Sequence, residues 1–258
     1  ISIPNQLTSN GEGWMCFGLY DTSRVLTFDG VEVEWMSDGT APWLMLSLSG
    51  TLNVTNGASL TFIFDSKTTK TRNAIYMNEG AVLNVTNGST FQILGVGTKG
   101  TAGQGIQLDK TGKSQINVTK SSTFLIDGTN RGYVNSPNIY VEDSSFTVQN
   151  CTSNASNGGN FKAVRSEVYY TDNAGHGLSA GNVILEESTL LSENNGLYGV
   201  YVSGDFKVDG KSKLEVIGNS YDGDCAGLNL TAGVTNGLVE SGAEVTITGN
   251  KCSGFSSR

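Results

Sequence analysis

Proline is nearly missing from this 258-residue chain, with three copies, and histidine occurs once. Charged residues reach only 16%, and no apolar run is long enough to span a bilayer. Each scarcity excludes something. Without a Pro-rich stretch or a charge block, nothing divides the chain, and residues 1–258 read as one domain. Lys and Arg number 16 against 24 Asp and Glu, a net charge of -8. That balance weighs against nucleic acid, because phosphate contacts need clustered cations. It also disfavours anionic polymers at neutral pH, unless calcium bridges them or acid neutralises the carboxylates. The chain starts at Ile1 with neither an initiator Met nor a signal-peptide pattern, so it is expected to be part of a longer protein.

What is abundant is equally informative. Glycine occurs 34 times, alongside many Asn, Ser and Thr, a composition suited to turns and to side chains stacked in ladders. Leu, Val, Ile and Phe still recur regularly, which argues against disorder. The recurrence is an internal repeat. Residues 50–60 read Gly-Thr-Leu-Asn-Val-Thr-Asn-Gly-Ala-Ser-Leu, and residues 82–91 read Val-Leu-Asn-Val-Thr-Asn-Gly-Ser-Thr-Phe. A third copy covers 115–124, and weaker ones follow at 138–146, 185–190, 206–214 and 239–245.

Taking the apolar residue before each turn as an anchor gives Val54, Val85, Val118, Val141, Val164, Leu185, Val208 and Val239. The intervals are 31, 33, 23, 23, 21, 23 and 31 residues. A minimum near 22, lengthened by loop insertions, suits three short strands and three corners per coil. Period-two alternation appears three times in each coil, as in Leu44-x-Leu46, Leu52-x-Val54 and Leu60-x-Phe62. The spacing therefore predicts an all-β, single-stranded parallel β-helix (a β-solenoid) of about eight coils over residues 41–253. A right-handed wind follows from the usual hand of parallel crossovers. Residues 1–40 fit the repeat poorly and hold Trp14, Phe17, Tyr20, Trp35 and Met36, as an N-terminal cap would. Asn150, Asn173 and Asn194 fall nine residues after their anchors, and Asn219 and Asn250 eleven after theirs, which predicts amides stacked at a corner.

Cys225 and Cys252 lie about one coil apart, so stacking could join them in a disulfide. Cys16 and Cys151 have no evident partner and read as small buried residues. None of the cysteine spacings resembles a zinc site.

The coil pattern resembles the pectate-lyase-like superfamily, and in particular the adhesive, non-catalytic members of bacterial surface proteins. The style of residues 50–60 is also similar to autotransporter passenger domains. The resemblance implies a secreted or cell-surface domain that attaches to a host or plant polysaccharide or glycoprotein. It does not carry a transferable set of binding residues, because any β-helix coil can generate such motifs.

Residues 175–181, Gly-His-Gly-Leu-Ser-Ala-Gly, hold the single histidine. They resemble a stretch of polygalacturonase-type hydrolases, which pair aspartates on neighbouring coils with an Arg-x-Lys. Here Asp172 precedes His176 alone, Asp222 and Asp224 come later, and no Arg-x-Lys follows. Glycines that bend a corner, with Leu178 entering the core, explain the motif without chemistry. A lyase would need clustered aspartates for calcium and an Arg or Lys base. No outward stripe collects acids in that way, and Arg165 with Glu167 reads as an exposed ion pair. No catalytic residue, metal ligand or cofactor is therefore assigned, and calcium has no clear site. A divergent polysaccharide lyase or hydrolase and a structural stalk are the alternatives to adhesion.

Alternation also separates outward residues. The first strand of each coil would present Met45, Tyr76, Gln107, Ser179, Tyr201 and Asn229. The second would present Asn53, Asn84, Asn117, Tyr140, Ile184, Lys207 and Leu238. Outward aromatics beside amides suit sugar rings and their hydroxyls, which makes Tyr76, Gln107, Tyr140, Tyr201 and Asn229 the candidate contacts. Asn53, Asn84 and Asn117 each begin an Asn-Val-Thr sequon, with others at Asn150, Asn154 and Asn229. Loops at 65–74, 95–105 and 220–227 form a second candidate region.

Overall fold

The computed structural model describes residues 2–4, 15–37, 44–64, 73–95, 103–219, 226–251 and 253–257. Every regular element among them is a β-strand, and every strand pairing is parallel. The chain visits three faces in fixed rotation. One face is a ten-stranded sheet and another a nine-stranded sheet. The third is split into a five-stranded and a four-stranded part. Backbone bonds continue across the gap between them, since Tyr133 N–H donates to Ala155 O and Ala155 N–H to His176 O. The chain is a parallel β-solenoid.

Inward columns explain why these residues form strands. On the nine-stranded face Leu52, Leu83, Ile116, Ile139, Phe161 and Val183 stack in register, and all are buried. On the ten-stranded face the column begins Leu60, Phe91, Phe124 and Phe146. Its rings close up along the axis, reaching 4.5 Å and 2° between Phe124 and Phe146. Trp35 stacks on Phe62 at 5.4 Å to extend the aromatic file. Past Phe146 the column turns aliphatic, with Val168, Leu190 and Leu214. Tyr133 and Tyr170, both buried, bridge that change with a 2.7 Å phenol–phenol hydrogen bond.

Corners are held by ladders. Between the nine- and ten-stranded faces, Ser89, Ser122, Ser144, Ser166 and Ser188 each donate a backbone N–H to the serine hydroxyl of the next coil, ending at Ser212. Beside this ladder, Asp143, Arg165 and Glu187 adopt φ of 48, 47 and 50. Left-handed backbone costs such residues roughly 1–2 kcal/mol each, which the stacked corner bonds offset. At the corner from the ten-stranded face into the split face, Asn173, Asn195, Asn219 and Asn250 pass amide bonds from coil to coil. Each of the first three donates its own backbone N–H to the next side-chain oxygen. Asn173, Asn195 and Asn219 are sealed from solvent, so these bonds satisfy groups that water cannot reach.

Four expectations need correction. First, the segment expected to cap the helix instead adds a coil. Met15–Leu19, Val25–Asp29 and Glu32–Ser37 pair in register with Leu44–Leu48, Thr51–Thr55 and Ser59–Phe64. That gives nine passages through the nine-stranded sheet where about eight coils were expected. Second, the anchor at Val164 moves to Ala163, which pairs with Val141 and Leu185. Third, Met45, expected on the outer surface, is buried, and the register partner of Tyr76 is Ser47, two residues on. Fourth, the predicted asparagine series mixed two columns. Asn150 and Asn194 share an exposed left-handed position with Asp172, whereas the buried ladder uses Asn173, Asn195, Asn219 and Asn250.

Cys151 is buried and free, as expected of a small core residue, and burial pushes its thiol up to about 12. The side chains of Cys16, Cys225 and Cys252 lie outside the described residues, and so does most of the three long loops.

Candidate functional site

The five candidate contacts fall in three places. Tyr76 and Gln107 are register partners in the five-stranded part of the split face. Gln107 spends its side-chain oxygen on Asn73 Nδ2, at 2.8 Å. Tyr201 and Asn229 are partners in the four-stranded part. Tyr140 stands on the nine-stranded face. The fold does not bring these five together, and of them only Tyr140 lines a described hollow.

That hollow is a groove of about 260 Å³, below the roughly 300–1,000 Å³ of drug-sized sites and so of a size for one small ring. Two outward columns shape it. One is Asn117, Tyr140, Lys162 and Ile184, and the other is Gln115, Asn138, Asn160 and Asn182. Ile139 and Phe161 complete the lining.

The groove exists because an amide row stops. Asn53 donates to Thr27, Asn84 to Asn53 and Asn117 to Asn84, at 3.3, 2.8 and 2.9 Å. In the next coil Tyr140 occupies the place a further asparagine would take. The opposite rim keeps its own amide row, with Asn182 donating to Asn160 and Asn160 to Asn138, both at 2.8 Å. Each amide has a second N–H and a second lone pair, so the rim can still exchange hydrogen bonds with a polar ligand. The phenol of Tyr140 is pushed up by partial burial and then by the Glu142 carboxylate beside it. Lys162 is paired with Glu186 at 2.9 Å, so its charge is already answered within the face. Asn138, Asn160 and Asn182 recur at the 22-residue spacing of the shortest coils, a signal present in the sequence but overlooked beside the stronger Asn-Val-Thr copies.

In the Gly-His-Gly-Leu motif the glycines are packed close against neighbouring coils. Leu178 is buried. A Cβ on Gly177 would lie 2.6 Å from Ser192 Oγ and 2.8 Å from Asn195 Nδ2, so glycine is needed where the asparagine ladder passes. Gly199, one coil on, is equally close to Asn219. His176 accepts the Tyr198 backbone N–H on Nδ1 at 3.3 Å, and burial holds its pKa below the usual value. Tyr198 stacks on it at 5.2 Å and was not singled out in the sequence. Arg165 does form exposed ion pairs, but with Glu142 and Asp143 at 2.9 and 2.6 Å rather than with Glu167, which accepts from Tyr169. Among the described residues, no three His, Cys, Asp or Glu side chains are grouped to hold a metal, and no helix is long and apolar enough to cross a membrane.

No protein-family model, curated protein or solved structure matches the chain.

Proposed function

We propose that this chain is the saccharide-binding domain of an extracellular or cell-surface protein, an adhesin-like β-solenoid that holds a host or plant polysaccharide or glycoprotein without cleaving it. The groove at Tyr140 carries this reading. The Tyr140 ring, with Ile184 further along the same outward column, offers apolar contact to the carbon face of a sugar, while two rows of amides meet its hydroxyls. The groups lie on strands locked by ladders, so little order is lost when a ligand docks. A right-handed wind and kinship with the pectate-lyase-like adhesins belong to the same reading.

The test is incubation with immobilised xyloglucan, mannan, polygalacturonate and mucin at neutral and mildly acidic pH, measuring retention and released oligosaccharide together. Saturable retention without product is expected. Tyr140→Ala should weaken it roughly tenfold, the equivalent of one aromatic contact of about 1.5 kcal/mol. Released oligosaccharide would replace binding with catalysis, and absence of retention on every support would leave a structural stalk.

A further inference from the structure

The corner between the ten-stranded and split faces carries a second hollow, of about 610 Å³. Three successive coils line it, and its exposed rim is Asn150, Asp172 and Asn194. Their φ values of 54, 55 and 54 show one corner geometry repeated three times. Asp172 accepts from Asn194 Nδ2 at 3.3 Å, leaving further acceptor capacity on its carboxylate.

From this rim the chain runs within a few residues into a cluster of rings. His176 and Tyr198 lie parallel to within 11° at 5.2 Å, and Tyr201 stands 5.3 Å from Tyr198, tilted by 45°. With Nδ1 of His176 accepting from Tyr198, the neutral ring carries its proton on Nε2 as a donor. An independent observation points the same way. Asn229 is the register partner of Tyr201, is 8% exposed, and has a buried Oδ1 with no hydrogen-bond donor. A buried acceptor left unmet is costly, and a ligand hydroxyl brought in beside Tyr201 is the kind of group that would relieve it.

We infer that the corner hollow and the His176–Tyr198–Tyr201 ledge form a second saccharide site, specific for uncharged sugar units and on a different side of the solenoid from the Tyr140 groove. The inference rests on the reading of the chain as a saccharide binder. Amides at the rim and rings on the ledge supply the polar and apolar halves of sugar recognition. The Asp172 carboxylate, in a chain of net charge -8, turns away uronates. With two sites the domain grips one long polysaccharide twice, so that release requires both contacts to open.

Affinity electrophoresis through gels holding mannan, xyloglucan or polygalacturonate tests this on the whole chain. Tyr201→Ala and Tyr140→Ala should each lower affinity for the retarding neutral polysaccharide about tenfold, and the double variant should migrate as in an empty gel. Asp172→Asn installs the residue that Asn150 and Asn194 already place at this corner, so the fold is kept. It should raise retardation by polygalacturonate severalfold relative to retardation by the neutral polysaccharide. Wild-type retardation that Tyr201→Ala and Asp172→Asn both leave unchanged overturns the second site while leaving the Tyr140 groove standing. Loss in Tyr201→Ala with none in Tyr140→Ala supports the ledge and removes the groove. No wild-type retardation in any gel overturns both.

Discussion

The two halves of the solenoid solve the same stacking problem with different allocations of polar and aromatic side chains. In the N-terminal half, rings fill the core from Trp35 through Phe62, Phe91 and Phe124 to Phe146, and the amide row of Asn53, Asn84 and Asn117 lies on the outer surface. In the C-terminal half that column is aliphatic, and besides the outer row of Asn138, Asn160 and Asn182 a buried amide ladder of Asn173, Asn195, Asn219 and Asn250 runs inside the corner. The change happens over residues 131–151. There the outer row ends at Tyr140, the ring stack ends at Phe146, the phenol pair bridges the core, and Cys151 donates its N–H to the first buried amide at 3.0 Å. A solenoid is uniform where one ladder continues and acquires a concavity where a ladder stops. The Tyr140 groove lies at such a stop.

The sharpest way to break this comparison is to remove one member of each half. Phe124→Ala deletes the ring between its two closest neighbours and should cost about 3–5 kcal/mol, read by denaturant unfolding. Asn195→Leu strands the Asn173 N–H and the Tyr170 carbonyl in the dry corner, with an expected loss of ~3 kcal/mol by the same measurement. Asn84→Ala removes an amide of equal size from the outer row. Water can replace its bonds, and the loss should stay near ~1 kcal/mol. Equal losses at Asn195 and Asn84 would contradict the distinction between buried and outer ladders.

Proton linkage at the changeover sharpens it further. The Tyr133 phenol is pushed up to about 12, chiefly by burial, so its contribution is complete below the unfolded value near 10 and fades as pH rises to about 12. Alkaline melts should show a loss of about 3 kcal/mol across that window, flattened in the Tyr133→Phe, Tyr170→Phe double variant. The smallest effect belongs to His176. Burial lowers its folded pKa, so stability is full above the unfolded value near 6.5 and falls as pH drops from there to the folded value. His176→Gln should remove that acidic slope in thermal melts.

Much of this architecture is legible in the sequence, because a period of two fixes which side chains turn inward and a minimum spacing near 22 fixes the coil. The errors share a physical origin. Stacking register depends on backbone pairing across coils, and a slip of one or two residues preserves the local pattern. Val164 and Ala163 are both apolar, and both Leu44-x-Leu46 and Leu46-x-Leu48 alternate, so nothing local distinguishes them. The coil at residues 15–37 lacks the Asn-Val-Thr signature that marks the next three coils, yet Leu26, Phe28, Val33 and Trp35 alternate as strands should. Tyr140 was legible as an outward aromatic. Its groove was not, since a concavity depends on the neighbours above and below it. The pairing of His176 with Tyr198 likewise required knowing that the two corners superpose.

The most direct test restores the missing rung. Tyr140→Asn places an asparagine next to Asn117 in the outer row, and binding is then measured against the polysaccharide that retains the wild-type chain. The account predicts a melting temperature equal to or above that of the wild type, with affinity reduced about tenfold or more. Undiminished affinity in a folded Tyr140→Asn variant would contradict the claim that the end of the amide row forms the binding site.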